Sequence, residues 1–207
     1  MKTKQAPETT ELTRKEEVAQ WAKERLSDPK TLILDVETTG LLNQDPKTEV
    51  VSISLINAQG RPVLSALVNP GRPIPMASQR IHGIDDRMVK DAPPWTVIGD
   101  LVAGIVHGKH IVSYNAGFDI HMIVTLFQRY EMEIPEFEVS CAMEEYSKFV
   151  GDWSTSKGDY RWQKLPKLAF GQAHDSLVDC QSTLMLMQKM AGDNSSDPTP
   201  DDVTLDF

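Results

Sequence analysis

Cysteine is nearly absent. Cys141 and Cys180 are the only two in 207 residues. Two cysteines build neither a disulfide framework nor a zinc site, so a reducing cytoplasm is the expected setting. Long apolar runs are missing as well. None approaches the ~20 residues a membrane span needs, so no membrane partner is expected. Met1-Lys-Thr-Lys-Gln5 leads into a charged stretch without the apolar segment of a secretory signal. No internal repeat is present. Positive charge is short, with 21 Lys and Arg against 30 Asp and Glu and a net charge of −9. That balance excludes the broad basic footprint behind tight nonspecific binding to nucleic acid. The deficit is local, however. Five Asp and no Lys or Arg fall in residues 192–207, and four more acids form the clusters described below. With these nine set aside, the body of the chain is charge-balanced.

What is present is one domain's worth of alternating pattern, with hydrophobic content of 40% and charged content of 25%. Residues 1–12 read as a disordered N-terminus. Thr13-Arg-Lys-Glu16 reads as a capping box, and Val18, Trp21, Ala22 and Leu26 follow at helical spacing. A helix is therefore predicted to begin at 13 and to pack on the domain, with Asp28-Pro29 closing the segment 13–29. Residues 31–38, 50–56 and 63–68 read as three consecutive strands, the last two joined by the hairpin turn Asn57-Ala-Gln-Gly60. Short helical pieces in 76–91 and a helix over 95–106 follow. A strand at 110–114 leads into a helix reaching about 131. A strand at 138–142, a helix at 143–150, an irregular stretch at 151–163, a short helix at 165–171 and a helix at 175–191 complete the body. Three leading strands and then strand–helix alternation predict an α/β domain with a mixed sheet over 30–191. Residues 192–207 read as a disordered acidic tail.

Three clusters carry chemistry. In the first strand Asp35 and Glu37 share a face, since side chains alternate along a strand. Two neighbouring carboxylates at a buried strand end repel unless a cation sits between them, and a hard divalent ion is the natural one. A solvated strand end would look the same in isolation. Asn115-Ala-Gly-Phe-Asp119 lies at a strand-to-helix junction, where α/β sheets place ligands, although a helix start alone is reason enough for an Asp. His174-Asp-Ser-Leu-Val-Asp179 puts His174 before the last helix and Asp179 on it, in apolar company. Together Asp35, Glu37, Asp119 and Asp179 supply four carboxylates from three elements, a ligand set for two hard cations, with a His alongside. Such a pair suits in-line attack on a phosphodiester, and a His suits removal of a proton from water.

The stretches at 35–40, 115–119 and 174–179 resemble the three exonuclease motifs of the DEDDh, or DnaQ-like, 3′–5′ exonucleases, in order and spacing. Ile81-His-Gly-Ile84 and Val89-Lys-Asp-Ala-Pro93 are similar to segments between the first two motifs. The sister group carries a Tyr four residues before the last Asp, where this chain has Asp175, which favours the His type.

The resemblance implies an RNase H-like fold with a five-stranded mixed sheet flanked by helices. It implies two divalent cations, Mg²⁺ or Mn²⁺, held by Asp35, Glu37, Asp119 and Asp179, with His174 as general base. It places the 3′-terminal nucleotide at Thr38, Thr39, Gly40 and Leu41, with Asn115 in the second motif and with His82, Ile84 and Phe118 near the terminal base. For Ile84 and Phe118, ordinary core packing is the competing reading. In 153–167, Trp153, Lys157, Tyr160, Arg161, Trp162, Lys164 and Lys167 face one acid, Asp159. Interleaved basic and aromatic residues suit single-stranded backbone and bases, Arg161 and Trp162 foremost, and a loop whose Trp residues cover the core is the alternative. The expected activity is release of nucleoside 5′-monophosphates from single-stranded or frayed DNA 3′ ends. An exoribonuclease on the same scaffold and a non-catalytic nucleic-acid-binding or partner-recruiting module are the alternatives. The last residues, Asp201-Asp-Val-Thr-Leu-Asp-Phe207, resemble the acidic C-terminal tip of bacterial single-stranded-DNA-binding proteins, which implies a replication or repair protein as partner.

Overall fold

The computed structural model describes residues 10–166 and 175–192. The first strand is the centre of the architecture. β1 (Thr31–Thr38) lies between β2 (Val50–Asn57), to which it pairs antiparallel, and β4 (His110–Ser113), to which it pairs parallel. β3 (Pro62–Leu67) extends the sheet beyond β2 and β5 (Glu138–Cys141) extends it beyond β4, giving the order β3-β2-β1-β4-β5. This is the expected five-stranded mixed sheet.

Side-chain alternation along β1 divides the core. Leu32, Leu34 and Val36 face one side, against α4 (Trp95–Val106) and α5 (Ala116–Arg129), where Trp95 meets Phe127 edge to face at 5.6 Å. Ile33 faces the other side, against Val18 and Ala22 of α1 (Glu11–Ser27) and Cys180, Leu184 and Met187 of α7 (Ser176–Met190). Asp35 and Glu37 continue the Ile33 register, so the strand carries its two acids towards α7. Between β3 and α4 the short helices α2 (Met76–His82) and α3 (Asp86–Val89) cover β2 with a small core of Val51, Ile74, Ile84 and Val89. α6 (Ala142–Val150) follows β5.

The structure corrects two expectations. The first helix begins at Glu11, and Thr10 rather than Thr13 is its cap, with Thr10 Oγ1 accepting the Thr13 N–H at 3.2 Å. Residues 11 and 12 therefore belong to the helix and not to a disordered terminus. Thr10 is followed by Glu11, which sits in the first turn against the positive end of the helix dipole, whereas Thr13 is followed by Arg14 and Lys15. The irregular stretch after α6 contains a hairpin, β6 (Trp153–Ser154) with β7 (Asp159–Tyr160). Gly158 at φ +70° closes its turn, and Trp153 packs on Tyr160 with centroids 5.1 Å apart. The pattern was too short to show an alternation.

Candidate active site

The site forms at the carboxyl end of β1, where the sheet changes from parallel to antiparallel pairing. The β1–β2 register shifts between Glu37 and Thr38, a bulge that turns the chain out of the sheet after the second acid. From α7, Asp179 meets them: one carboxylate oxygen each from Asp35, Glu37 and Asp179 lies within 4.8 Å of the others. Asp175 caps α7 by accepting the Leu177 and Val178 N–H groups, and Ser176 bonds Ser52 and Ser54 of β2 at 2.8 and 2.9 Å. These bonds fix the first turn of α7 on the sheet and thereby aim Asp179. Nothing in the sequence pattern marked the three serines, because small hydroxyl residues give no periodic signal.

Asp119 comes from the opposite face. It sits in the first turn of α5, buried, and accepts the Val36 N–H at 3.1 Å and the Ser113 hydroxyl at 2.5 Å. It lines the same cleft, of about 580 Å³, as the other three acids. Leu41, Phe118 and Leu165 supply apolar lining, and Tyr114, Asn115 and Lys164 add polar groups. Sequence reasoning missed Tyr114, whose hydroxyl donates to the Gln163 carbonyl at 2.8 Å and ties the 160s segment to the cleft. Its place just before Asn115 was the available signal.

Electrostatics define the site's chemistry. Burial raises Asp35 well above the ordinary carboxylate range, and repulsion from Asp119, Glu37 and Asp179 adds to it. Burial, then Asp179 and Asp119, push Glu37 up to about 9. Asp119 is pushed up to about 7 by burial, against the pull of its bonds from Ser113 and Val36. A group of acids that cannot all ionise in each other's company, with oxygen as the only donor atom, fits a hard divalent cation.

The expected substrate residues divide. Leu41, 42% exposed, Asn115 and Phe118 line the cleft. Thr38 and Thr39 are buried and spend their side chains on the loop itself, Thr38 Oγ1 donating to the Gly40 carbonyl and Thr39 Oγ1 accepting the Glu49 N–H. That loop is braced by an ion pair unforeseen from sequence, Arg129 Nη1 to Glu49 Oε1 at 2.5 Å, with Arg129 also donating to the Thr48 and Pro46 carbonyls. His82 and Ile84 are buried. Gly83 ends α2 in the left-handed region and turns Ile84 into the core, where its N–H donates to His82 Nδ1. Arg161 reaches Asp152 at 3.3 Å, and Trp162 is exposed. His174, the helix expected at 165–171 beyond Pro166, and the tail from 193 lie outside the described residues.

Four carboxylates gathered in one cleft at the carboxyl end of the central strand of this mixed sheet suit a hydrolase acting on phosphodiester bonds. Residues 32–187 match the exonuclease family RNase_T, and the chain belongs to this DnaQ-like family of 3′–5′ exonucleases. It is 36% identical to an uncharacterized exonuclease, CP81, of Escherichia phage 186, over 84% of this chain and 94% of that protein. It is 32% identical to the DNA polymerase III subunit epsilon of Rickettsia felis, over 54% of this chain and 51% of that one. In fold it is similar to the nuclease domain of 3′hExo, a DEDDh family member solved with rAMP bound, with a TM-score of 0.57, 16% identity, and 79% and 92% of the two chains covered. Exonucleases of this family use divalent metal ions, with which the acidic cluster is compatible. Among the described residues no helix is long and apolar enough to cross a membrane.

Proposed function

We propose that the enzyme removes nucleotides one at a time from single-stranded or frayed DNA 3′ ends, releasing nucleoside 5′-monophosphates. The observation that carries this reading is the meeting of Asp35, Glu37 and Asp179 within 4.8 Å, with Asp119 bonded to the strand between the first two. Asp35, Glu37, Asp119 and Asp179 would hold two divalent cations, Mg²⁺ or Mn²⁺, which would make a water more acidic and offset charge on the leaving oxygen. The protein's own part is to gather the four acids. Leu41 and Phe118 then offer apolar surface to the terminal base and sugar. In the reaction a water oxygen bonds to phosphorus as the P–O3′ bond breaks, the phosphate stays on the released nucleoside, and the departing O3′ takes a proton from solvent to leave a new 3′-hydroxyl. His174 takes the proton from the water, a role drawn from its place in the third motif.

The polymerase III epsilon relative supports DNA as the substrate, and the free thiols of Cys141 and Cys180 are consistent with a reducing cytoplasm. Matched DNA and RNA oligonucleotides digested side by side with Mg²⁺ test this reading. Faster loss of the DNA is expected, and equal or faster loss of the RNA makes the enzyme an exoribonuclease. For the tail, we propose docking of Asp201 to Phe207 on a replication or repair protein. Deletion of 201–207 lowers affinity for such a partner if the tail docks and leaves it unchanged if the tail only solubilises.

A further inference from the structure

Two residues before Lys164, which lines the cleft, stands an aromatic side chain largely open to solvent. Trp162 is 69% exposed, the most exposed large hydrophobic residue among the described ones. The other rings of its segment are engaged: Trp153 packs edge to face on Tyr160, and Tyr160 carries the Arg14 guanidinium at 5.5 Å from its centroid. Trp153 thus belongs to the hairpin's own packing, while Trp162 is open to solvent.

Three further facts make the exposure informative. Lys157 Nζ lies over the Trp162 ring, 5.7 Å from its centre, so one face carries a cation and the other is left for a base. Lys164, Leu165 and Pro166 line the acidic cleft. Tyr114, beside Asn115, holds the Gln163 carbonyl at 2.8 Å, so the chain between Trp162 and the cleft is tied to the body. Two residues of chain span at most about 7 Å, which is on the order of two stacked nucleotides at ~3.4 Å each.

We propose that Trp162, with Lys157 and Lys164, forms an upstream subsite for single-stranded DNA. The base some two nucleotides from the 3′ end stacks on Trp162, and the intervening phosphates pass the two lysines. This rests on the exonuclease reading and extends it from the terminal nucleotide to the strand behind it. Any base offers a face for stacking, so the subsite holds the strand without reading its sequence. The chain is acidic overall, and a short basic ledge beside the cleft supplies local attraction for phosphates in place of a broad footprint.

The test compares KM for a dinucleotide with KM for an octanucleotide, both single-stranded DNA, in wild type, Trp162→Ala and Trp162→Phe. Wild type gains from the added length. Trp162→Ala loses about tenfold of that gain, and Trp162→Phe keeps most of it. In parallel, Lys157→Gln lowers the slope of log affinity against log salt by about 0.7 for one lost phosphate contact on a single strand. If Trp162→Ala keeps the wild-type ratio, or the salt slope is unmoved, the subsite is wrong while the exonuclease reading stands. If wild type degrades neither oligonucleotide, the exonuclease reading fails and the subsite falls with it.

Discussion

Asp119, on the helix that covers one face of the sheet, accepts the N–H of Val36, whose neighbours Asp35 and Glu37 point to the other face. One carboxylate thus joins the two faces at the point where the acids converge. Its removal has two separable effects. Asp119→Ala leaves the Val36 N–H buried without its acceptor and costs about 1–3 kcal/mol in urea unfolding. Asp119→Asn keeps an acceptor oxygen, so its stability falls within about 1 kcal/mol of wild type. Both variants lose exonuclease rate by about 100-fold or more, since neither keeps the charge. Equal stability of the Ala variant would remove Asp119 from its place in the strand.

The acid cluster is held together against its own repulsion. Asp35→Asn and Glu37→Gln relieve it. Each is expected to raise the melting temperature of the metal-free protein while reducing metal-dependent cleavage to near background. Calorimetry in EDTA and a digestion assay with Mg²⁺ read the two effects. A variant that melts lower than wild type in EDTA would mean that the acids stabilise the fold without a cation.

The same cluster sets a pH dependence. Glu37 moves from 4.5 to about 9 and Asp119 from 3.8 to about 7, and Asp35 moves in the same direction. Across that window the folded protein holds protons that the unfolded chain has released. Stability from these groups is full below about 4 and is lost as pH rises through 7 to 9. Metal-free protein is therefore expected to melt at lower temperature at pH 8.5 than at pH 6. Mg²⁺ raises the melting temperature more at the higher pH, because it binds the ionised acids. A metal-independent profile would contradict this.

Arg129 and Glu49 brace the loop that follows Glu37. Glu49 is buried, so Arg129→Met removes its ion-pair partner, leaves the Tyr130 hydroxyl as its side-chain donor, and costs about 3 kcal/mol. The loop of Thr38 to Leu41 loosens, and KM rises more than kcat falls. The double variant Arg129→Met, Glu49→Gln recovers most of the stability, and denaturant titration of the set measures the coupling.

Much of this architecture was legible in the chain itself. Runs such as Thr31-Leu-Ile-Leu and His110-Ile-Val-Ser have the strand pattern; Asp35 and Glu37 continue the first, and Asp119 follows the second in the first turn of α5. The three clusters at 35–37, 115–119 and 174–179 are sequence-local, so their spacing could be read before any contact was known. The bracing was not legible. Ser176 with Ser52 and Ser54, Arg129 with Glu49, and Tyr114 with Gln163 join residues 49 to 124 positions apart. Nothing local marks such pairs, because the fold alone brings them together. The start of α1 was misread for the opposite reason: Thr10 and Thr13 both satisfy the local rule for a cap, and only the backbone decides.

The most direct measurement of the central claim uses one single-stranded DNA labelled in turn at its 3′ and 5′ ends and digested with Mg²⁺ or EDTA. With Mg²⁺ the 3′ label leaves at once as a nucleoside 5′-monophosphate, and the 5′-labelled strand shortens in single-nucleotide steps. EDTA and Asp179→Ala stop both. Early release of the 5′ label, internal cuts, or undiminished cleavage in EDTA would contradict a metal-dependent 3′–5′ exonuclease built on Asp35, Glu37, Asp119 and Asp179.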